Sequence, residues 1–318
     1  MVHKDTSKVV ADLRAMLDGD YVAPPPEAVD LETVALYAGL SRVALPDGPT
    51  ELMPGLTLRP TYAHFFTSPV VAFAPPHKPS APHPAPWHRT RNGGSAETVT
   101  VEMCLAEGAR PWTFSRVDTI RFVAGLIRLL AASPARIAVL SSVAFSEVVA
   151  AEREPALWEL EQLAPWPTQT VKLDEDFLEI VRRLLQPSSV VIQDDDVYRA
   201  FSLLDSVWWL PSLNAQMVVI WTVAETLMRP GRFRTGEQLA KLMRAYTGRG
   251  RSHGDRVYNE VTRLYQARGS ATHAGRLPKP EDVQASFYLV RDVMLRAFLE
   301  GERPPLPEAI VPLAPTNG

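Results

Sequence analysis

Leu264-Tyr265-Gln266-Ala267-Arg268-Gly269-Ser270-Ala271-Thr272-His273-Ala274-Gly275 closes an amphipathic helical run and sets a permanent cation five positions before a titratable imidazole. The pairing suits phosphodiester chemistry. Arginine stays charged and forks onto phosphate oxygens, while histidine gains or loses a proton near neutral pH, so together they supply charge stabilisation and proton transfer without a metal. Taken locally, the same residues also suit plainer roles. A histidine after a helix end complements the carbonyl ends of the helix dipole, and Arg268 can be a surface ion-pair partner. Gly275 fits either reading as the left-handed residue that stops the helix.

Working outward, Tyr198-Arg199-Ala200-Phe201-Ser202-Leu203-Leu204-Asp205 and Ile220-Trp221-Thr222-Val223-Ala224-Glu225-Thr226-Leu227 precede the motif with helical spacing. Glu281-Asp282-Val283 follows it and leads into Phe287-Tyr288-Leu289-Val290-Arg291-Asp292-Val293-Met294-Leu295. In this order, around an Arg-x-x-x-x-His with Tyr265 before it, the segments resemble the HEPN superfamily, most closely its Apea-like branch. They are similar to its first core helix, its alanine-leucine-glutamate helix and its closing helix. The resemblance covers roughly the last 125 residues, read as one all-helical domain. One position departs: the residue after the arginine is often asparagine, aspartate or histidine in that family, and here it is Gly269, followed by Ser270.

The resemblance implies a metal-independent endoribonuclease of the kind used in toxin, antiphage and CRISPR-linked systems, working as a homodimer that joins two motifs in one cleft. It implies Arg268 and His273 as catalytic residues, with Tyr265, Ser270 and Glu225 supporting them, and no cofactor or metal. Helix geometry points the same way. Positions five apart are rotated by about 140° and rise about 7.5 Å, so one chain's pair converges poorly, whereas a two-fold axis beside the helix brings two pairs together. The expected reaction is transesterification: a 2′-hydroxyl attacks the adjacent phosphorus, His273 acts as base or as acid toward the leaving oxygen, and Arg268 stabilises the phosphorane. Such a scheme requires RNA. The alternative is a non-catalytic HEPN-like module that dimerises or binds RNA, with Gly269 marking a motif drifted from catalysis and the N-terminal domain sensing a ligand.

Around the motif Arg244, Arg249, Arg251, Arg256, Arg263, Arg268 and Arg276 outnumber Asp255 and Glu260. Arg249, Arg251, Arg256, Arg263 and Arg276 form the candidate RNA-binding surface. Gly248-Arg249-Gly250-Arg251-Ser252-His253-Gly254 reads as a flexible loop able to close over a strand, or as a solvated connection between helices. The formal net charge of the chain is -3, so attraction for nucleic acid has to be local.

With 318 residues, 46% of them hydrophobic, the chain is long enough for two cores. The expected organisation is an α+β domain over residues 1–172, a HEPN-like helical bundle over 173–304 and a Pro-rich tail over 305–318. In the first, a helical pattern runs through Val9, Val10, Leu13, Met16 and Leu17, and a second helical segment is expected over 31–40. Short β-prone runs follow at 56–58, 62–66, 70–73 and 98–103, then a helix over 122–130 and a strand over 136–140. A ligand or regulatory protein acting on this half remains an open expectation. The single cysteine, Cys104, excludes an intrachain disulfide, and the polar start lacks a secretory stretch, which points to the cytoplasm. Arg121, Arg128, Pro134 and Arg136 interrupt one long apolar stretch, and Asp205, Pro211, Asn214 and Glu225 another, so both read as core helices rather than membrane spans.

Other groups carry less chemistry. His77, His83 and His88 share a proline-rich stretch with Trp87 and Arg89, but no cysteine or close carboxylate joins them in a zinc pattern. Asp194-Asp195-Asp196 precedes a helix, where aspartates cap amides; magnesium binding is the alternative. Glu225, on an otherwise apolar helix, can orient a motif arginine or histidine, or pair with Arg229. Trp208, Trp209, Met217, Val218, Ile220 and Trp221 read as helix packing or dimer surface. No internal repeat, phosphate-cradling glycine loop or Ser-His-Asp arrangement stands out, so nucleotide hydrolysis has no support.

Overall fold

The computed structural model describes residues 30, 32–67, 72–73, 88–89, 95–148, 157–158, 170–273 and 276–309. The helical pattern at Val9 to Leu17, the stretch holding His77, His83 and Trp87, and the end of the Pro-rich tail lie outside the described residues.

The first half is built on strands β1 (Leu36–Ser41), β2 (Val43–Ala44), β3 (Thr50–Met53), β4 (Leu56–Thr67), β5 (Ala72–Phe73), β6 (His88–Arg89), β7 (Ser95–Leu105), β8 (Arg136–Ser141), β9 (Leu157–Trp158) and β10 (Val171–Lys172). Six of them form one sheet in the order β3-β4-β7-β1-β8-β9, with every pairing antiparallel. Two short pairs are separate from it, β10 parallel to β2 and β5 antiparallel to β6.

The segment expected to be helical over 31–40 is instead β1, a central strand flanked by β7 and β8. Its burial has period two on one face, through Leu36, Ala38 and Leu40. On the other face Gly39 leaves no room for a side chain, because a Cβ there would meet Val99 Cγ2 at 2.8 Å. Apolar spacing alone cannot reveal such an environment, since the partners that satisfy the backbone of β1 come from distant parts of the chain. The expected strands at 56–58 and 62–66 are a single strand, β4, whose register against β7 shifts between Pro60 and Ala63. A local irregularity absorbs the proline without ending the strand.

Helix α1 (Arg116–Ala131) starts at Ser115, whose hydroxyl accepts from the Asp118 amide at 3.1 Å. Arg116 is almost fully buried, yet its guanidinium donates to the carbonyls of Ala109, Val34, Leu105 and Ala106. Those bonds replace the water that the cation loses.

From Glu175 onward the chain is helical: α2 (Glu175–Val191), α3 (Asp195–Ser206), a 3-10 turn (Val207–Trp209), α4 (Leu213–Met228), α5 (Thr235–Thr247), α6 (Arg251–His273) and α7 (Pro280–Glu300). An α+β region followed by a helical region is therefore the architecture, and the changeover falls between Lys172 and Glu175. Packing runs straight through it. Leu31–Gly318 cluster as one compact unit, and one hydrophobic core extends from Leu36 in β1 to Phe298 in α7. Phe122 of α1 meets Phe201 of α3 and Phe298 of α7 at centroid distances of 5.3 and 6.1 Å. Arg128 of α1 is 1% exposed and forks onto Asp205 of α3, Nε to Oδ1 at 2.6 Å and Nη2 to Oδ2 at 2.7 Å. A buried bidentate pair of this kind holds the two halves in register, because separating them would strand a desolvated charge.

Asp194 caps α3, accepting from the amides of Asp196 and Val197, and Asp194 and Asp196 both bind Arg303. The capping reading of this acidic run holds. Met217, Ile220 and Trp221 are fully buried, and Trp208 packs against Phe287 at 4.9 Å, so these residues belong to the helix packing. Among the described residues no helix is long and apolar enough to cross a membrane.

Candidate active site

The inward stripe of α6 runs through Val257, Val261 and Leu264 to Ala271, and Arg268 occupies the same stripe, four positions after Leu264 and three before Ala271. A cation in that register has to find a polar partner on a neighbouring helix. It meets Glu225, the carboxylate that interrupts the buried face of α4: Arg268 Nη2 lies 3.9 Å from Glu225 Oε1, with the two side chains 21% and 32% exposed. At that separation Glu225 balances the charge by proximity rather than by a hydrogen bond with that nitrogen. Its hydrogen bond goes to Tyr265, whose hydroxyl donates to Glu225 Oε1 at 2.8 Å.

Tyr265 in turn braces the arginine. The Arg268 guanidinium sits over its ring at 5.5 Å, a cation–π distance. The ring also meets Trp221 of α4 edge-on, at 5.2 Å and 86°. Helix α5 also presses close to the ring through Gly236, where a Cβ would approach Tyr265 Cδ1 to 2.5 Å. Burial first, and then the Glu225 carboxylate, push the Tyr265 hydroxyl from 10.0 up to about 12. At neutral pH the phenol therefore stays protonated and acts as a donor, not as a base. Of the three partners expected for Glu225, the motif arginine lies beside it, Arg229 instead donates to the Pro304 carbonyl, and the side chain of the motif histidine lies outside the described residues.

His273 is the last residue of α6. Its side chain, like that of Thr272, lies outside the described residues, as does Gly275. Ser270 is half-buried. Gly269 faces open space among the described residues: beyond its chain neighbours and its own helix backbone, none of their atoms lies within 4 Å of the position a Cβ would take, so their packing does not demand glycine there.

The basic residues at the start of α6 stand apart from the motif. Arg251 and Arg268 are separated by about 25 Å along α6, from the helical rise of about 1.5 Å per residue. The supposed loop over 248–254 is also shorter than expected: only Gly248, Arg249 and Gly250 connect α5 to α6, and Arg251, Ser252, His253 and Gly254 are helical. The His253 ring accepts the Arg249 amide at Nδ1, 3.1 Å away, so it satisfies one of the open amides where the helix begins. Arg249, Arg251, Arg256 and Arg276 are exposed. Arg263 is clamped by Glu260, at 2.7 and 3.1 Å, and by Asp282 of α7, at 2.6 Å; these bonds raise its pKa and commit its donors to the α6–α7 contact. Arg249 and His253 line a separate groove of about 840 Å³ together with Arg291 and Arg296, whose charges are matched by Asp292 and Glu300.

Two features beside Tyr265 escape a reading of the motif alone. Gly236, a poor helix former in the first turn of α5, was the available signal for a close approach. The α4–α5 connection before it, Arg229-Pro230-Gly231-Arg232-Phe233-Arg234, is held by the Gln238 side chain: its Oε1 accepts the Gly231 amide at 2.6 Å and its Nε2 donates to the Phe233 carbonyl at 2.7 Å. Basic residues alternating with an aromatic one after a Pro-Gly turn are legible in the sequence.

No family model, curated protein or solved structure matches this chain.

Proposed function

We propose that the chain is a metal-independent endoribonuclease of HEPN type, acting as an RNA-cutting effector in toxin or antiphage settings. The observation that supports this most is the placement of Arg268. A surface ion-pair residue would point away from the core, whereas Arg268 lies on the inward stripe of α6, beside Glu225 and over Tyr265. A guanidinium held by a ring on one side and a carboxylate on another is pre-oriented, which is what stabilisation of developing charge requires.

In the proposed reaction the ribose 2′-oxygen attacks the adjacent phosphorus and the bond from phosphorus to the 5′-oxygen breaks. The 2′-hydroxyl proton passes to a base and the leaving oxygen takes up a proton, giving a 2′,3′-cyclic phosphate and a 5′-hydroxyl. His273 performs one of these proton transfers and Arg268 binds the phosphate oxygens. Two copies of the chain, meeting beside the ends of their α6 helices, supply both histidines to one cleft.

Purified protein incubated with end-labelled RNA in chelator tests this. Arg268→Ala and His273→Ala should each lower cleavage by about a hundredfold or more while dimerisation persists. Undiminished cleavage in both variants would remove the site. The second reading, a module that dimerises or binds RNA without cutting, draws on Gly269, which replaces a polar residue where the packing leaves room for one; binding without cleavage by the wild-type protein would favour it.

A further inference from the structure

Phe233 is the most exposed large apolar side chain among the described residues, at 87% of its surface. A single exposed apolar side chain is ordinary in itself, and Leu277 and Tyr62 are nearly as exposed. What sets Phe233 apart is a backbone tied down around it. Gln238 bridges the Gly231 amide and the Phe233 carbonyl, the Thr235 hydroxyl donates to the Gly231 carbonyl at 3.3 Å, and Arg234 takes a left-handed φ of 51°. A non-glycine residue adopts that conformation only where its surroundings enforce it. The loop is thus set in one shape, and that shape turns the ring outward.

Both neighbours of Phe233 along the chain are cations. Arg232 is exposed, and Arg234, with 81% of its side chain exposed, reaches Glu237 only at 3.5 Å while that carboxylate is held by Lys241 at 2.7 Å. The loop also adjoins the candidate site. Phe233 is three residues before Gly236, a separation of at most about 11 Å along the backbone, and Gly236 touches the Tyr265 ring on which Arg268 stacks.

We propose that Phe233, presented between Arg232 and Arg234, is a stacking platform for an unpaired base of single-stranded RNA, with the two arginines binding the flanking phosphates. A flat ring accepts any base, and neighbouring cations follow the backbone, which is the combination that captures single strands with little sequence preference. Two like-charged arginines next to Phe233 in the chain favour this occupant over an apolar protein surface. The inference rests on reading the Arg268 site as an RNA site and names how the strand is held there.

The test is anisotropy with a short fluorescein-labelled 2′-O-methyl oligoribonucleotide of mixed sequence, which binds as RNA and cannot be cut. Phe233→Ala should weaken binding by about tenfold or more. Phe233→Leu, which keeps an apolar side chain but loses the flat face, should behave like the alanine variant, and Phe233→Trp should bind as wild type or better. Arg232→Gln and Arg234→Gln should each lower the slope of log affinity against log salt by about 0.7, and Phe233→Ala should leave that slope unchanged. Wild-type binding by Phe233→Ala overturns the proposal. So does a loss of binding that tracks a change of oligomeric state in sedimentation, since Phe233 would then be a protein contact. The two readings fail separately. A wild-type protein that cuts no RNA yet loses the oligonucleotide on Phe233→Ala refutes the nuclease and keeps the platform; Arg268-dependent cleavage with undiminished binding by Phe233→Ala does the reverse.

Discussion

Both ends of α6 offer arginine and histidine, and they are built for different tasks. At the N-terminal end Arg249 and Arg251 extend into solvent, and the His253 ring is used to accept the Arg249 amide. At the C-terminal end Arg268 turns inward, stacked on Tyr265 and facing Glu225, in surroundings assembled from α4, α5 and α6. The comparison teaches that residue types do not make a site. What separates the two ends is whether neighbouring helices take up the orientational freedom of the cation before a ligand arrives.

The strongest way to break this contrast is to mutate both ends in parallel and measure RNA cleavage. Arg268→Ala should lower the rate by about a hundredfold or more, while Arg251→Ala and His253→Ala should stay within a few-fold of wild type. Equal losses at the two ends would dissolve the distinction. Glu225→Gln sharpens it, since the amide still offers Tyr265 an acceptor oxygen but removes the charge beside Arg268; its loss of rate should be smaller than that of Arg268→Ala.

Gly236→Ala probes the bracing directly. The new methyl would come within 2.5 Å of the Tyr265 ring, so chemical denaturation should register a loss of about 1–3 kcal/mol, and cleavage should fall although no charged residue has changed. An unchanged midpoint would mean that α5 does not hold the ring.

The Tyr265 hydroxyl gives a pH signature. Its folded pKa is raised from 10.0 to about 12, so the proton is bound more tightly in the folded state. The associated stability is fully present below pH 10 and is lost as pH rises towards about 12. Thermal melts across that window should fall less steeply for Tyr265→Phe than for wild type. Tyr246 is raised in the same direction by burial and Glu300, so part of the alkaline loss should survive in the variant.

The smallest effect expected is a gain. Gly269 lies within α6 with open space where a Cβ would stand, so Gly269→Ala should stabilise the protein by up to about 1 kcal/mol through helix propensity. If the same variant cuts RNA as well as wild type, glycine is not required for the chemistry. If cleavage disappears in a stabilised protein, the open space beside Arg268 is used by substrate.

Much of this was legible along the chain. The helix start at Asp194 follows from a side chain that caps amides two and three residues away, and the helical runs around Leu227 and Leu264 follow from their apolar period. The β-prone runs in β4 and β7 stand where local pattern puts them, and the helix expected over 122–130 is present but begins six residues earlier, at Arg116. The motif residues and their order also needed no coordinates, and they carry the whole of the proposed chemistry.

Tertiary structure decided the rest, because it concerns partners that local pattern cannot reach. β1 is a strand because segments about 65 and 100 positions further on satisfy its backbone, whatever its own apolar spacing suggests. Glu225 could have paired with Arg229 four positions away, and the fold gave it Tyr265 at a sequence separation of 40 instead. Arg263 and Arg268 are the same residue type on the same helix, yet one is closed off by two carboxylates and the other is held beside a ring. Capping and periodicity act over a few residues and can be read in order; the surroundings that orient a charge are set only when distant helices pack against one another.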